Sequence, residues 1–399
     1  MPKRFRSLHR KLERAILHIE QVDDVAKMLG AIVERLCRDF KDDLGLEGGR
    51  IYSREDYGYV LRAIVGISAS PALTLREPRP FIPHRRLLAD GLLFMARGDP
   101  DVNEGLDQPP ASPSMLAAVG VGHGNTHIIA FSLKGKPRKA DVLFSLSLVR
   151  HVINLKLQQR RMAGIIDAAR IVQEGILPQS CPAFGGFDIG AASRPADVVS
   201  GDLFDYLPIS DGCLGLAIAD SSGHGLPAAL LARDVITALR TSAGRGVHVA
   251  SIVQRVNQVI QRAAVSGAFA SLFYGQLSSD GTLEYCNAGH EQPLIVGQSD
   301  IQHLTVGGMV LGPISTARYD NGTATMQPGD LLVLHTDGIV ERMNAAGEFY
   351  GSQRLEERLS AVTSLAAQPA AAAILADADA FADGLAPHDD MTAVVVKRL

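Results

Sequence analysis

The chain has 399 residues, 46% of them hydrophobic and 21% charged, with a formal net charge of -4. That length points to two or three domains, and the slight acidity excludes a general attraction to nucleic acid. Cys37, Cys181, Cys213 and Cys286 stand far apart with no CxxC, which favours a reducing compartment and excludes a zinc–cysteine centre.

The first stretch, "MPKRFRSLHRKLERAILHIEQ", places Leu8, Leu12, Ile16 and Ile19 at helical spacing among basic residues. It is expected to be an amphipathic helix capping the first domain. No hydrophobic region follows it, so it is not a signal peptide. No apolar run approaches the roughly 20 residues that cross a bilayer, and the expectation is a cytoplasmic protein. "VAKMLGAIVERLCRDF" has the period of a packed helix. "GRIYSREDYGYVLRAIVGIS" reads as two strands, and "SMLAAVGVGHGNTHIIAFSLKG" as a hairpin turning at Gly124-Asn125. Two Pro-rich loops, "REPRPFIPHRR" and "GDPDVNEGLDQPPASPS", lie between them. The order of these elements resembles a GAF-type sensor domain, an α+β module expected over residues 1–147, with a small molecule or protein as its signal.

Residues 148–178 follow as a helix without a break until Pro178. Leu148, Leu155, Met162, Ile165, Ala169, Val172 and Ile176 fit the a and d positions of a heptad, interrupted by His151 and Gln158. The expectation is a coiled-coil linker joining two copies in a parallel homodimer.

From residue 179 to 399 short strands alternate with turns, and helices are expected at 226–241, at 250–263 and in the Ala-rich "SLAAQPAAAAILADADAFADGLA". Acids recur at strand ends here. In "SGDLFDYLPISDGCLGLAIADSSGHG" the Ser210-Asp211-Gly212 turn suits a three-residue loop with Gly212 left-handed. Ile209 would then face Cys213, and Asp202 would face Asp220 on the side of the sheet that carries Phe204, Leu216 and Ile218. A two-residue Asp-Gly turn would shift the register by one and separate the acids. Facing carboxylates at the end of an apolar face require a shared proton or a cation. Asp337 closes the strand in "PGDLLVLHTDGIVE", and Asp389 and Asp390 precede the last strand in "APHDDMTAVVVKRL". Each acid alone is ordinary turn chemistry; four in one domain make an oxygen-only site suited to Mg²⁺ or Mn²⁺.

"RPADVVSGDLFDY", "LAIADSSGHGLPAALL", "ASLFYGQLSSDGTLEYCNAGHEQPLIV", "MQPGDLLVLHTDGIVERMNAAGEFYGSQRL" and "HDDMTAVVV" together resemble a PPM-type (type 2C) serine phosphatase of the SpoIIE/RsbU branch, over residues 176–399. The resemblance implies an α/β/β/α sandwich, two Mn²⁺ or Mg²⁺ ions and hydrolysis of phosphoserine or phosphothreonine on a protein. It matches Asp202, Asp220, Asp337 and Asp389 to metal aspartates, with Asp220 bridging, and Ser221 to a ligand through its carbonyl. It implies a phosphorylated anti-sigma-factor antagonist of STAS type as substrate. The alternative is a catalytically idle module of the same fold that docks an antagonist or kinase. Ser200 and His224 depart from the branch's usual Gly and Lys, and His290 of "NAGH" follows its pattern without an evident role.

Other constellations fail. "GVGHG" precedes a strand rather than a helix, so it is no dinucleotide turn. His123 and His127 lie four apart across a turn, without the helical face of a zinc pair. "KGKPRK" is a solvated loop.

Overall fold

The computed structural model describes residues 24–66, 85–96, 115–263, 267–298 and 300–399; the stretch expected to form the basic N-terminal helix and nearly all of the two Pro-rich segments lie outside these. The chain divides into two units, Met1–Ala163 and Gly164–Leu399. In the first, α1 (Val25–Asp39), α2 (Lys41–Leu44), β1 (Leu46–Glu55), β2 (Gly58–Val65), α3 (Arg85–Asp90), β3 (Leu92–Ala96), β4 (Met115–Val121) and β5 (His127–Leu133) precede a long helix, α4 (Lys139–Glu174). The strands form one antiparallel sheet in the order β2-β1-β5-β4-β3. Strand alternation sends Ile129 and Phe131 to one face and Ile128 and Ala130 to the other. On the first face Leu29, Ile32 and Leu36 of α1 pack beside Val142, Leu146, Val149 and Ile153 of α4. The second face carries Leu87 of α3. Asp24 caps α1, its carboxylate accepting from Ala26 N at 2.7 Å.

The helix expected over 148–178 begins nine residues earlier, because Val142 and Leu146 belong to the first core. The heptad positions divide by environment. Leu148 packs on the N-terminal core and Ile176, just past the helix, on a C-terminal one. Leu155, Met162, Ile165 and Val172 are all about half exposed or more.

In the second unit β6 (Phe187–Arg194), β7 (Leu203–Ser210) and β8 (Cys213–Ser221) lead to α5 (Leu226–Ser242) and α6 (Val249–Ala263). Then come β9 (Ala270–Ser278), β10 (Thr282–Ala288), β11 (Leu294–Val296), β12 (Ile301–His303), β13 (Gly307–Gly308), β14 (Gly322–Thr325) and β15 (Leu331–His335). The unit ends with α7 (Asp337–Val340), α8 (Gly351–Val362), α9 (Ala367–Phe381) and β16 (Met391–Arg398). Two sheets result: β13-β10-β9-β8-β7 with β14 on β10, and β12-β11-β15-β16-β6. Phe204, Leu216, Ile218 and Phe273 of one meet Leu332, Leu334, Val394 and Val396 of the other. α5 and α6 cover the outer face of the first sheet, and α8 and α9 that of the second. The product is a four-layer α/β/β/α sandwich.

The β7–β8 hairpin corrects one expectation and fulfils another. Ser210 pairs with Cys213, so the turn has two residues, Asp211 and Gly212, and Gly212 is not among the left-handed glycines. A bulge at Ile209 then returns the ladder to the expected register, with Pro208 opposite Leu214 and Leu203 opposite Ala219.

Candidate active site

The same register continues past the end of β7: Ser221 N donates to Gly201 O at 3.3 Å. Asp202 and Asp220 therefore stand opposite one another, on the inter-sheet side with Phe204 and Ile218. In the second sheet Leu332 and Leu334 face inward, which brings Thr336 to the same side one residue beyond β15. Asp337 opens α7, and Asp389 precedes β16. Four acids from four strand ends thus meet at one edge of the sandwich.

Their electrostatics are all of one sign. Burial raises the Asp202 carboxyl well above its usual range, and Asp220 raises it further. Asp220 is pushed up to about 7, first by burial and then by Asp337, Asp389 and Asp390. Asp337 rises to about 6 through burial, Asp389, Glu341 and Glu291. The largest charges acting on these three are all carboxylates. Oxygen donors with uncompensated negative charge fit a divalent hard cation in their chemistry. Among the described residues, however, no three His, Cys, Asp or Glu side chains are gathered as a ready cage. The edge is close-fitting: a Cβ on Gly201 would lie 3.1 Å from the Ser221 carbonyl oxygen and 3.4 Å from Asp220 Oδ1.

Several residues to which the sequence reading gave no role hold this edge in shape. Thr336 Oγ1 donates to Asp202 Oδ2 at 2.7 Å and accepts from Thr392 N at 3.0 Å. Asp390, 8% exposed, accepts from Ala196 N at 2.7 Å and from Gly201 N at 2.6 Å. Both its oxygens are occupied by backbone, and Asp389 is the more exposed of the pair. Gln173, in the last turn of α4, grips Ser200 twice: Nε2 donates to its carbonyl, and Oε1 accepts from its amide at 2.9 Å. Ser200 Oγ in turn accepts from Asp202 N at 3.1 Å. Asp205 faces α5, where Arg240 meets both its oxygens, at 2.7 and 3.1 Å, and also reaches Ile176 O at 2.8 Å. One signal for Asp205 was available: strand alternation sets it on the buried helix face, where an acid needs a partner.

His290 is buried, with Nδ1 2.7 Å from the Ser271 hydroxyl, and Ser271 is the β9 partner of Asp220. Burial and then His335 drive its pKa down to about 3, so it is neutral and does not balance the acids. His224 is exposed in the turn before α5.

Residues 210–399 match the family model described as Stage II sporulation protein E (SpoIIE). Phosphoserine phosphatase RsbU of Bacillus subtilis is 28% identical over 243 residues, 60% of this chain and 72% of its own length. Protein IcfG of Synechocystis is 29% identical over 262 residues, which is 58% of this chain but only 41% of that protein. Among solved structures, the SiaA-PP2C domain of Pseudomonas aeruginosa shares the fold with a TM-score of 0.54 and 22% identity, covering 61% of this chain and 98% of that one.

Proposed function

We propose that this chain is a metal-dependent protein serine/threonine phosphatase of type 2C, related to SpoIIE and RsbU, in which Asp202, Asp220, Asp337, Asp389 and the Ser221 carbonyl hold two Mn²⁺ or Mg²⁺ ions. The observation that carries this is the facing placement of Asp202 and Asp220 at a strand edge where the largest acting charges are negative. Such ions, when bound, supply a more acidic water and positive charge against the phosphoryl oxygens. Thr336 keeps Asp202 oriented, and the apolar inter-sheet core beneath it excludes water from that side. Asp390 fixes the backbone from Ala196 to Gly201 and so sets the entry to Asp202. A cysteine nucleophile has no place here: Cys213 lies at the opposite end of the hairpin from Asp202.

The substrate in this reading is phosphoserine on a STAS-type anti-sigma-factor antagonist. The N-terminal unit is its GAF-like sensor, a reading supported by its sheet order and by helices on both faces. The half-exposed Leu155, Met162, Ile165 and Val172 support a homodimer along α4. Among the described residues no helix is long and apolar enough to cross a membrane.

The test is Mn²⁺-dependent hydrolysis of a phosphoserine protein by wild type and by Asp220→Asn, with calorimetric Mn²⁺ titration of both. The expected result is turnover and saturable Mn²⁺ binding in wild type, both lost in the variant. Turnover that survives the substitution, or a silent titration of wild type, would remove the two-ion site.

A further inference from the structure

The glycine-rich turn between β4 and β5 borders a cavity of about 620 Å³ in the N-terminal unit. The turn is rigidly made. Gly122, Gly124 and Asn125 all take left-handed backbone, with φ of 82°, 63° and 56°, and a Cβ on Gly122 would collide with the Thr126 hydroxyl. Asn125 is buried; its Nδ2 donates to Leu88 O at 3.0 Å, and its carbonyl accepts from Tyr59 Oη at 2.6 Å. Gly122 N donates to Asn154 Oδ1 of α4 at 2.7 Å. Bonds from β2, α3 and α4 thus fix a turn whose tip, His123 and Gly124, is exposed and packs into no core. The amides of His123 and Gly124 have no partner among the described residues.

The lining has a consistent chemistry. His123 and His127 enter from the turn, and Gln158 and Arg161 from α4, with Leu157 as an apolar wall. Among the described residues no carboxylate lines the cavity and Arg161 makes no ion pair. A Cβ on Gly124 would lie 3.9 Å from Arg54 Nη1, a further cation at the rim. The His127 pKa is lowered by burial first and by the charge of Arg62 second, so the positive field reaches the turn.

We propose that this cavity binds a small organic anion, a carboxylate or phosphate ester, with Arg161 as its counter-charge and His123, His127 and Gln158 as hydrogen-bond partners. The volume is that of small-molecule sites, roughly 300–1,000 Å³, and exceeds what a bare inorganic ion fills. Asn154 to Arg161 belong to the helix that carries Gln173 in its last turn, so the occupant grips the element that also holds Ser200. The site stands apart from the phosphatase reading and is tested without turnover.

The experiment is calorimetric titration of the full-length, metal-free chain with inorganic phosphate, phenyl phosphate and citrate. Wild type is compared with Arg161→Ala and His123→Ala, exposed positions whose loss leaves the core intact, and with Asp220→Asn. Saturable binding of at least one probe is expected, weakened about tenfold or more in Arg161→Ala and His123→Ala, which is about 1.4 kcal/mol, and unchanged in Asp220→Asn. The preferred probe separates a phosphate ligand from a carboxylate. Absence of saturable binding by all three probes overturns the proposal. So does binding that ignores Arg161 and His123, or that is altered by Asp220→Asn.

Discussion

Thr336 shows how much of the site's behaviour rests on residues that need not touch an ion. Its hydroxyl accepts from Thr392 N and donates to the buried Asp202 carboxylate, fixing the direction in which that carboxylate can point. Thr336→Val keeps the shape and removes the donor, and is expected to lower Mn²⁺ affinity or activity about 10- to 100-fold, as other supporting hydrogen bonds do. Thr336→Ser should restore most of it, and metal-dependence curves of the three proteins provide the check. His290 supports a prediction of a different kind. Its folded pKa of about 3 lies below its ordinary 6.5, so only the unfolded chain takes up its proton between those values. The stability that neutral His290 contributes is therefore full above about pH 6.5 and is lost as pH falls toward 3, by at most about 1.4 kcal/mol per pH unit. The raised acids Asp202, Asp220 and Asp337 act oppositely, favouring the metal-free fold at low pH and losing that contribution as pH rises. In chemical denaturation between pH 4 and 7, the stability of wild type relative to His290→Asn should fall as the pH falls. Parallel slopes would place the proton uptake elsewhere.

At the scale of elements, the end of α4 is tied to the strand that follows Asp202 through Gln173, Ser200 and the Asp202 amide. Gln173→Ala is expected to speed hydrogen exchange of the 196–202 backbone. Ala169→Pro, which breaks the helix one turn earlier, should do the same while leaving Gln173 in place. Exchange unchanged in both would show that the helix and this loop are independent. Arg240 and Asp205 form the second tie, and Asp205→Ala strands a cation on α5. Since Arg240 is 44% exposed, the cost should be about 2 kcal/mol, less than for a fully buried pair, and should be largely recovered in Asp205→Leu/Arg240→Met.

How far these elements were legible depended on whether neighbours in sequence are neighbours in space. The 226–242 and 249–263 helices and the Asp202–Asp220 register follow from local period and parity, and were readable. Gln173 contacts Ser200, and Asp390 contacts Gly201 from 189 positions away; no spacing rule links such pairs. The turn at Gly212 misled for another reason, because a bulge two residues away offset its length.

For the whole molecule, the decisive feature is a 36-residue helix that leaves the first core with its apolar positions uncovered. About 20 of its residues follow Ile153, its last fully buried position, a length of about 30 Å. Met162→Asp combined with Ile165→Asp should convert a dimer to a monomer in sedimentation experiments while leaving the melting of the phosphatase unit unchanged. A wild-type protein that sediments as a monomer at all concentrations would remove the pairing along α4.

The bulge at Ile209 also gives the hairpin a spare link. Ile209 has no partner across the ladder, so losing Ile209 itself lets the strand straighten with every other pair kept and Asp202 still opposite Asp220, whereas a loss nearer Asp202 would turn the side chains between it and the bulge to the opposite face. β8 holds no such reserve, being paired on both sides from Cys213 to Ala219. The two acids therefore sit at the ends of strands with unequal tolerance for length change: a chain lacking Ile209 should keep its metal-dependent activity, and a chain lacking Gly215 should lose it.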